Sequence, residues 1–212
     1  MNLKETYRYL GYRNEEPDDS VKMLVVECFQ ELERAAMPKS FYREYPLKFF
    51  EEDGIDAYGF QTHSRALRKN LTDCDRILYF AATLGAGVDQ LLCRYGKLQM
   101  SKAVILQAAS AAMLEDYCDE VNEQIRGEYE EKGLYLRPRF SPGYGDFSLE
   151  CQPALTSCLE AGKRVGITLT DSFLMVPSKS VTAVIGVSTV PRTCTVKGCE
   201  ACGKLDCSYR RG

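Results

Sequence analysis

Apolar residues recur at helical spacing over two long stretches of the chain. In residues 18–37 the apolar positions lie mostly three or four residues apart, and the pattern stops at Pro38. This spacing predicts an amphipathic helix. A longer helix is predicted over residues 101–131. Small residues in its first half permit close packing, and acidic residues in its second half are typical of a solvated face.

Other segments have the pattern of β-strands. Residues 40–50 alternate loosely and are aromatic, which favours a strand. Residues 76–84, RILYFAATL, form a continuous apolar run between turn residues, as expected for a strand buried on both faces. Further strands are predicted near residues 134–139 and over residues 166–177 and 180–190, the last two joined by a Pro-Ser-Lys turn.

Three shorter helices complete the prediction, over residues 3–12, near residues 63–71 and over residues 148–166. Pro153 must lie in the first turn of the last helix or break it. The mixed order of helices and strands predicts an α+β fold with a mostly antiparallel sheet and long helices. We expect a single domain over residues 1–190, followed by a short Cys-rich C-terminal tail over residues 191–212.

Length and composition are consistent with such a domain. The 212 residues are 45% hydrophobic and 27% charged, enough to bury a core. A formal net charge of −3 argues against nucleic acid as the main partner. The sequence has no run of about 18 apolar residues that would predict a membrane span, and its N-terminal residues lack the apolar core of a signal peptide. We therefore expect a cytoplasmic protein.

The ten cysteines of the chain are expected to be reduced thiols in that compartment. Six precede the tail and are predicted to be small, buried, hydrophobic residues: Cys28, Cys74, Cys93, Cys118, Cys151 and Cys158. Two of these, Cys151 and Cys158, share a face of a predicted helix and could reach a site. The one histidine, His63, is expected at the surface or at a helix cap.

The tail contains the other four cysteines, Cys194, Cys199, Cys202 and Cys207, in the pattern C-x4-C-x2-C-x4-C. Four thiolates at this spacing can surround one metal centre. Zinc and iron–sulfur clusters both accept four cysteine ligands, so the pattern predicts either one. The alternative is a flexible tail with incidental thiols.

Two glycines after the predicted buried strand, Gly85 and Gly87, form a weak phosphate-loop signal where a helix begins. A third glycine and a ribose-binding acid are not placed as a dinucleotide site requires. A tight turn between strand and helix is therefore the favoured interpretation.

The segment LRPRFSPGYGD, residues 136–146, carries the candidate binding chemistry. Arg139, with a second arginine two residues earlier, presents a planar fork of donors that suits a carboxylate. Gly143 lacks a Cβ, so a ligand can approach its backbone, and Pro142 fixes the local path. Tyr144 offers a hydroxyl group and a ring face that attracts cations. This combination fits an amino acid or a sulfonium, but also a plain turn beside a surface arginine.

Together with a second block at residues 163–181, this segment resembles the S-adenosylmethionine-binding activation domain of cobalamin-dependent methionine synthase. That family carries an arginine, two variable residues and Pro-Gly-Tyr, here RFSPGY. It then carries the block G-x-x-LT-E/D-SF-x-M-x-P-x-x-SV, here Gly166, Leu169, Thr170, Asp171, Ser172, Phe173, Met175, Pro177, Ser180 and Val181. The similarity is good over residues 101–188 and loose over the first hundred residues.

The resemblance implies a role in reductive reactivation. In that family the cobalamin cofactor occasionally falls to an inactive cobalt(II) state. An electron from a reduced partner and a methyl group from S-adenosylmethionine then restore methylcobalamin. By position, Arg139 matches the arginine that grips the ligand's carboxylate, and Tyr144 matches the motif tyrosine. Phe140 takes the place of a residue with backbone contacts, and Glu115 aligns with a glutamate that reaches the ligand's amino group.

The chain departs from that family in its cobalamin chemistry. It contains no cobalamin-binding sequence and no D-x-H-x-x-G motif. Cobalamin is therefore expected on a partner, a separate corrinoid-dependent methionine synthase or related cobalamin-binding protein. A reduced electron donor is also expected. No residue is assigned a catalytic role, and the chain is not expected to turn over alone. A second function class stays open, a metal-binding electron-transfer or interaction protein that reuses the scaffold without binding S-adenosylmethionine.

Overall fold

The computed structural model describes residues 2–12 and 16–191, and these contain seven α-helices, one 3-10 helix and eight β-strands. The helices are α1 (Leu3–Tyr9), α2 (Asp19–Ala35), α3 (Arg65–Asn70), α4 (Ala86–Leu98), α5 (Met100–Glu130), α6 (Gln152–Cys158) and α7 (Ala161–Arg164). The strands are β1 (Lys39–Phe50), β2 (Gly54–Ala57), β3 (Phe60–His63), β4 (Arg76–Thr83), β5 (Tyr135–Leu136), β6 (Thr168–Leu169), β7 (Met175–Val176) and β8 (Ser180–Ser188).

Six of the strands form one sheet in the order β3-β2-β1-β4-β8-β5, and each neighbouring pair is antiparallel. Strands β6 and β7 form a separate small hairpin. Long antiparallel pairs on both sides of β4 fix the register, with Phe80 opposite Tyr42 of β1 and Ala183 of β8. The predicted α+β class, with a single domain and a mostly antiparallel sheet, is confirmed.

The central strand β4 is covered on both faces of the sheet. Phe80 lies in the core on one face, and its neighbours Tyr79 and Ala81 lie in the core on the other. Side chains of a strand alternate between faces. Because both faces of β4 are buried, the alternation is invisible in the sequence, which shows only a continuous apolar run.

A layer of helices α1, α2, α4 and α5 covers the first face. Helix α2 begins where the side chain of Asp18 accepts a hydrogen bond from the Val21 N–H, which satisfies one free donor of the first turn. Its apolar stripe then packs on the sheet and on α5. The small residues of α5 let the neighbouring helices approach closely, and Ala109 and Ala112 are almost fully buried.

The turn between β4 and α4 explains the pair of glycines found in the sequence. Gly85, the N-cap of α4, has a φ of +85°, a conformation that favours glycine. A Cβ added to Gly87 would lie only 2.3 Å from the Ala35 carbonyl oxygen. Close packing against the end of α2 therefore requires glycine at position 87. This favours the tight turn over a phosphate loop.

The second face is covered by α3, α6, α7 and the segments that lead into the β6–β7 hairpin. Leu67 of α3 and Leu155 of α6 are fully buried there, beside Tyr79 of the sheet. The helices on this face are short, and the long helices all lie on the first face. The loops between the short helices contribute much of the candidate site described below.

The structure corrects three sequence predictions and adds one hairpin that the sequence did not predict. The helix predicted over residues 148–166 is a 3-10 turn followed by α6 and α7, with Glu160 between them at a φ of +51°. The strand predicted over residues 166–177 is the β6–β7 hairpin, in which Thr170 and Leu174 are hydrogen-bonded across the bend. The strand near residues 134–139 keeps only two residues, as β5. The β2–β3 hairpin was not predicted, because its strands are only four residues long.

The cysteines outside the tail follow the prediction with one exception. Cys28, Cys74, Cys118 and Cys151 are buried and Cys158 is half-buried, but Cys93 is exposed on α4. The prediction for Cys93 was wrong because the spacing of apolar residues along an amphipathic helix does not show whether a residue at the border of the apolar face is buried or exposed. His63 lies at the surface as predicted, with Nδ1 at 2.9 Å from Asp53 Oδ1. None of the described helices is long and apolar enough to cross a membrane.

Candidate functional site

Two elements distant in the sequence bring the predicted ligand-binding residues together. Glu115 lies on α5, and Arg139 lies on the extended segment that follows β5. The Nη2 atom of Arg139 is 3.5 Å from Glu115 Oε2 and 2.6 Å from Asp119 Oδ1. The structure therefore unites Arg139 and Glu115 in one site, although 24 positions separate them.

The arginine is shielded from water more than its carboxylate partners are. The side chain of Arg139 is 16% exposed, whereas those of Glu115 and Asp119 are 41% and 67% exposed. Ion pairs with such exposed carboxylates contribute only about 0–1 kcal/mol to stability. A carboxylate brought by a ligand could therefore replace Asp119 on the guanidinium at little energetic cost.

Asp119 was not among the residues predicted for the site. It lies one helical turn beyond Glu115, and residues four positions apart on a helix share a face. That spacing was the signal in the sequence that could have pointed to Asp119. It did not single out Asp119, because the second half of α5 contains many acidic residues and most of them make no described contact with Arg139.

A neutral thiol lies next to Arg139 on the inner side of α5. Cys118 is fully buried, and burial raises the pKa of its thiol to about 12, although Arg139 acts in the opposite direction. The thiol is therefore protonated at neutral pH. It contributes a small apolar contact behind the guanidinium and no charge.

The Pro-Gly-Tyr segment forms a tight turn after Arg139. The Tyr144 N–H donates to the Ser141 carbonyl at 3.2 Å, with Pro142 and Gly143 between them. Gly143 has a φ of +89°, which a type II turn requires at its third position and glycine adopts without strain. Pro142 at the second position is the usual choice because its φ is fixed. The turn is closed further by a 2.8 Å hydrogen bond from the Gly143 N–H to the Phe147 carbonyl.

Phe140 joins this segment to the edge of the main sheet. Its N–H donates to the Val184 carbonyl at 2.9 Å, and its carbonyl accepts from the Val184 N–H at 2.8 Å. The Phe140 carbonyl keeps a second lone pair for a ligand, but its N–H is already used. Within the described ranges, no strand pairs with residues 180–183 on this edge of β8, so the edge is open next to the turn.

Large apolar side chains face solvent around the turn and on the β6–β7 hairpin. Four of them have substantial exposure: Tyr144, Leu149, Leu174 and Val176. Leu149 lies beside the turn, because a Cβ added to Gly143 would be 3.6 Å from its Cδ1 atom. The Gln152 side chain donates to the Phe173 carbonyl at 3.1 Å and so attaches the hairpin to α6. We call these four side chains the apolar rim.

Asp146 anchors the end of the motif to α3. Its carboxylate accepts hydrogen bonds from the Arg65 N–H at 2.8 Å, the Ala66 N–H at 3.2 Å and the Ser64 hydroxyl. Desolvation works to raise the pKa of Asp146, but the bonds from Ser64, Ala66 and Arg65 outweigh it and lower that pKa below its usual value. The first turn of α3 therefore holds the loop through a charged carboxylate.

We expect Asp146→Ala to lower the free energy of unfolding by about 1 kcal/mol at pH 7, as the loss of a helix cap does. Because the folded pKa is depressed, the stabilisation is complete above the unfolded value of roughly 3.9 and is lost as pH falls through the folded value. Urea unfolding at pH 7 and pH 3 measures the effect, and the difference from the unsubstituted chain should shrink at pH 3. Asp146→Asn should lose the pH dependence. A pH-independent difference would contradict the anchor.

The second arginine of the motif does not belong to this site. Arg137 is only 4% exposed, and its guanidinium donates to the carbonyls of Thr72 and Val190 at 3.3 Å. It lies at the opposite end of β8 from residues 180–183, because its N–H donates to the Gly186 carbonyl. Cys151 and Cys158 also lie elsewhere. The Cys158 Sγ is within hydrogen-bonding distance of the Tyr58 carbonyl, next to the β2–β3 hairpin.

No group of three or more metal-binding side chains occurs in residues 2–12 and 16–191. The predicted metal ligands Cys194, Cys199, Cys202 and Cys207 lie outside the described residues.

Fold and site together define an α+β domain in which an arginine flanked by carboxylates lies beside the partly open edge of an antiparallel sheet. Comparison with known proteins gives two findings. Residues 66–202 match the model of the family described as vitamin B12 dependent methionine synthase, activation domain. A crystal structure described as the MetH reactivation domain bound to AdoHcy superposes with a TM-score of 0.63 at 17% identity, covering 90% of this chain and 77% of that one.

No curated protein matches the sequence. Since the family model matches well over half of the chain, the chain belongs to the family of vitamin B12-dependent methionine synthase activation domains. The resemblance noted from the two sequence blocks is thereby confirmed. The structural similarity, at its low identity, confirms the fold.

Proposed function

We propose that this chain binds S-adenosylmethionine and serves as a reactivation subunit for a separate corrinoid-dependent methyltransferase such as methionine synthase. The observation that carries the proposal is the half-buried Arg139 beside the Pro-Gly-Tyr turn, in a member of this family. The solved relative of the same fold is bound to AdoHcy, the product of methyl transfer from S-adenosylmethionine.

The charges of the site suit the amino-acid end of such a ligand. Arg139 offers a bidentate fork to the carboxylate. When the carboxylate of a ligand binds the guanidinium, Glu115 and Asp119 are left to face the ammonium group of the same ligand. An arginine and two acids thus match a zwitterion, and the exposed ion pairs that they now make are weak enough to be exchanged.

The turn and the open edge suit the rest of the ligand. Tyr144 is 67% exposed, and an aromatic face attracts a sulfonium cation. The Phe140 carbonyl and the edge of β8 at residues 180–183, which none of the described strands covers, supply backbone groups beside it. The turn holds Tyr144 next to Gly143, where the absence of a Cβ leaves room for a ligand.

In this proposal the chain positions the methyl donor and shields it from water, and it does not transfer protons. S-adenosylmethionine supplies the methyl group, the partner supplies cobalamin, and a reduced donor supplies one electron. Because the methyl transfer is nearly irreversible, it drives the unfavourable reduction of cobalt(II) to completion. Correct placement and exclusion of water are sufficient contributions from the protein. No general base is required, which is consistent with a site built from Arg139, two exposed acids and a tyrosine.

The apolar rim is the part of the site that we propose to face the corrinoid partner. Exposed clusters of apolar side chains commonly mark interaction sites. Tyr144 and Leu149 lie at the turn that would hold the methyl donor, and Leu174 and Val176 lie on the β6–β7 hairpin, which Gln152 attaches to α6. A partner that covers them would also exclude water from the transferred methyl group. We propose the cytoplasm as the compartment, where a reduced electron donor is at hand.

The test combines the chain with a corrinoid methyltransferase in its cobalt(II) state, a reductant and S-adenosylmethionine. We expect methylcobalamin to appear in the visible spectrum faster with the chain than without it, and not at all when the partner is omitted. Equal rates with and without the chain would remove the reactivation role. Calorimetry with S-adenosylmethionine on the chain alone tests ligand binding separately.

The tail provides a second candidate function. We propose that Cys194, Cys199, Cys202 and Cys207 hold one metal centre. An iron–sulfur cluster could pass the electron that reactivation needs, whereas zinc would only order the tail. Elemental analysis and a visible spectrum of protein purified without oxygen distinguish the two. Thiols that are all freely alkylated in every preparation would argue against any centre and leave S-adenosylmethionine binding untouched.

A further inference from the structure

Gln152 is a buried polar residue that joins two parts of the molecule beside the candidate site. It is only 4% exposed. Its Nε2 atom donates to the Phe173 carbonyl at 3.1 Å, and its Oε1 atom accepts from the Thr182 hydroxyl at 3.3 Å. Because a backbone carbonyl can only accept, these partners allow the amide only one orientation. Both polar ends of the amide are thereby satisfied, as burial requires.

Thr182 lies at the edge of β8 that faces the proposed ligand. The N–H and carbonyl of Val184 both bond to Phe140 on that edge. In an antiparallel strand every second residue directs its backbone groups to the same side, so the N–H and carbonyl of Thr182 face this edge as well. None of the described strands pairs with Thr182 there, although the residue is only 2% exposed. One residue therefore presents its backbone to the ligand site and its hydroxyl to Gln152.

The other partner of Gln152 is the bend of the β6–β7 hairpin. Phe173 has a φ of +63°, which is uncommon for a residue other than glycine and depends on support from its surroundings. Among the described residues, the bond from Gln152 is the one hydrogen bond that joins residues 170–174 to the rest of the fold. Leu174, a member of the apolar rim, follows directly after Phe173. The buried amide therefore holds the part of the hairpin that presents Leu174.

The base of the hairpin is attached independently of Gln152. The N–H and hydroxyl of Ser178 donate to the Asp89 carboxylate of α4 at 2.8 and 2.5 Å. Met175 packs against the core on the second face of the sheet. Loss of the Gln152 amide should therefore release the bend while the base stays in place.

We infer that Gln152 is a positioning residue that couples occupancy of the ligand edge to the placement of the apolar rim. A ligand that bonds to the Thr182 backbone restrains that residue and, through its hydroxyl, the amide that holds Phe173. Ordering of a segment by one ligand lowers the cost of binding the next. The inference rests on the proposed function and adds an order to it, in which the bound methyl donor prepares Leu174 for the corrinoid partner.

A single fluorophore in the bend tests this coupling without the partner. The chain contains no tryptophan, so Leu174→Trp reports on the bend alone. S-adenosylmethionine should change the emission of this reporter and protect it from quenching by acrylamide. Adding Thr182→Val removes the hydroxyl and should abolish this response, while the Kd measured by calorimetry stays the same. Thr182→Ser restores the hydroxyl and should restore the response, which a merely structural role of Thr182 would not produce.

Thr156→Val is the matched control for the loss of a hydroxyl group. The Thr156 hydroxyl donates only to carbonyls of its own helix, those of Gln152 at 3.1 Å and Pro153 at 3.0 Å. This variant should keep the full response. A response of Thr182→Val equal to that of the reporter alone would overturn the coupling. The same conclusion follows if S-adenosylmethionine binds the reporter without changing its emission.

Titration with a cobalt(II) corrinoid methyltransferase, on the chain without the reporter, gives a second measurement. S-adenosylmethionine should lower the Kd for the partner roughly fivefold or more, a usual size for coupling between two sites. Gln152→Met should lose that dependence and keep its affinity for S-adenosylmethionine. An unchanged dependence in Gln152→Met would overturn the inference alone. Absence of S-adenosylmethionine binding to the unsubstituted chain in calorimetry would overturn the proposed function and this inference together.

Discussion

Arg139→Ala is expected to weaken binding of S-adenosylmethionine by about 2 kcal/mol or more, a rise in Kd of roughly thirtyfold. The guanidinium is only 16% exposed, so its bonds to a ligand carboxylate are partly protected from water. The substitution also leaves Glu115 and Asp119 without their cation, and they would then repel the ligand carboxylate. Both effects act in the same direction.

Isothermal calorimetry on the purified chain measures this change. Arg126→Ala is the matched control, because Arg126 lies on the same helix as Glu115 and pairs with Glu123 at 2.7 Å outside the site. That control should bind as tightly as the unsubstituted chain. The stability of Arg139→Ala should change little, since its carboxylate partners are exposed. Equal affinities of Arg139→Ala and the unsubstituted chain would remove Arg139 from the site.

Phe80→Ala is expected to lower the free energy of unfolding by about 3–5 kcal/mol, the usual cost of truncating a buried phenylalanine. Phe80 is fully buried at the centre of β4, between Tyr42 of β1 and Ala183 of β8. Its removal leaves a cavity under the helical layer that rigid neighbouring strands cannot fill. Domains of this kind have a total stability of only about 5–15 kcal/mol, so the loss is a large fraction of the whole.

Urea unfolding followed by circular dichroism measures this loss as a shift in the midpoint. Met23→Ala serves as the control, because Met23 is 69% exposed on α2 and its truncation should change stability by less than about 0.5 kcal/mol. The fraction of Phe80→Ala that stays folded should bind S-adenosylmethionine normally, in contrast to Arg139→Ala. A loss below about 1 kcal/mol would mean that the core relaxes around the cavity.

The two substituted residues, Phe80 and Arg139, differ in how much of their structural role could be predicted from the sequence. Phe80 belongs to a strand that was predicted from a continuous apolar run, and its burial followed directly from that prediction. Arg139 was selected by the chemistry of its side chain and by the resemblance of two sequence blocks. Neither signal could show that Asp119 holds the guanidinium, because that contact joins a helix to a loop.

The sequence by itself determined the long elements and the family. Helix α2, helix α5 and strand β4 are periodic or continuously apolar over many residues, so local pattern and final structure agree. The type II turn was also implied, since Pro-Gly is favoured there by backbone conformation alone. The short β2–β3 and β6–β7 hairpins carry too few residues for a period to be visible, and they were missed or merged.

Only the tertiary structure decided which of the two arginines of the motif belongs to the candidate binding site. Arg137 and Arg139 are two residues apart on an extended segment, and their neighbours in sequence are alike. One guanidinium packs over β8 towards Val190, and the other reaches the carboxylates of α5. The different surroundings of the two arginines depend on where β8 and α5 lie relative to that segment. Long-range packing of the sheet and helices fixes those positions. No local pattern contains that information, because the contacts join residues that are distant along the chain.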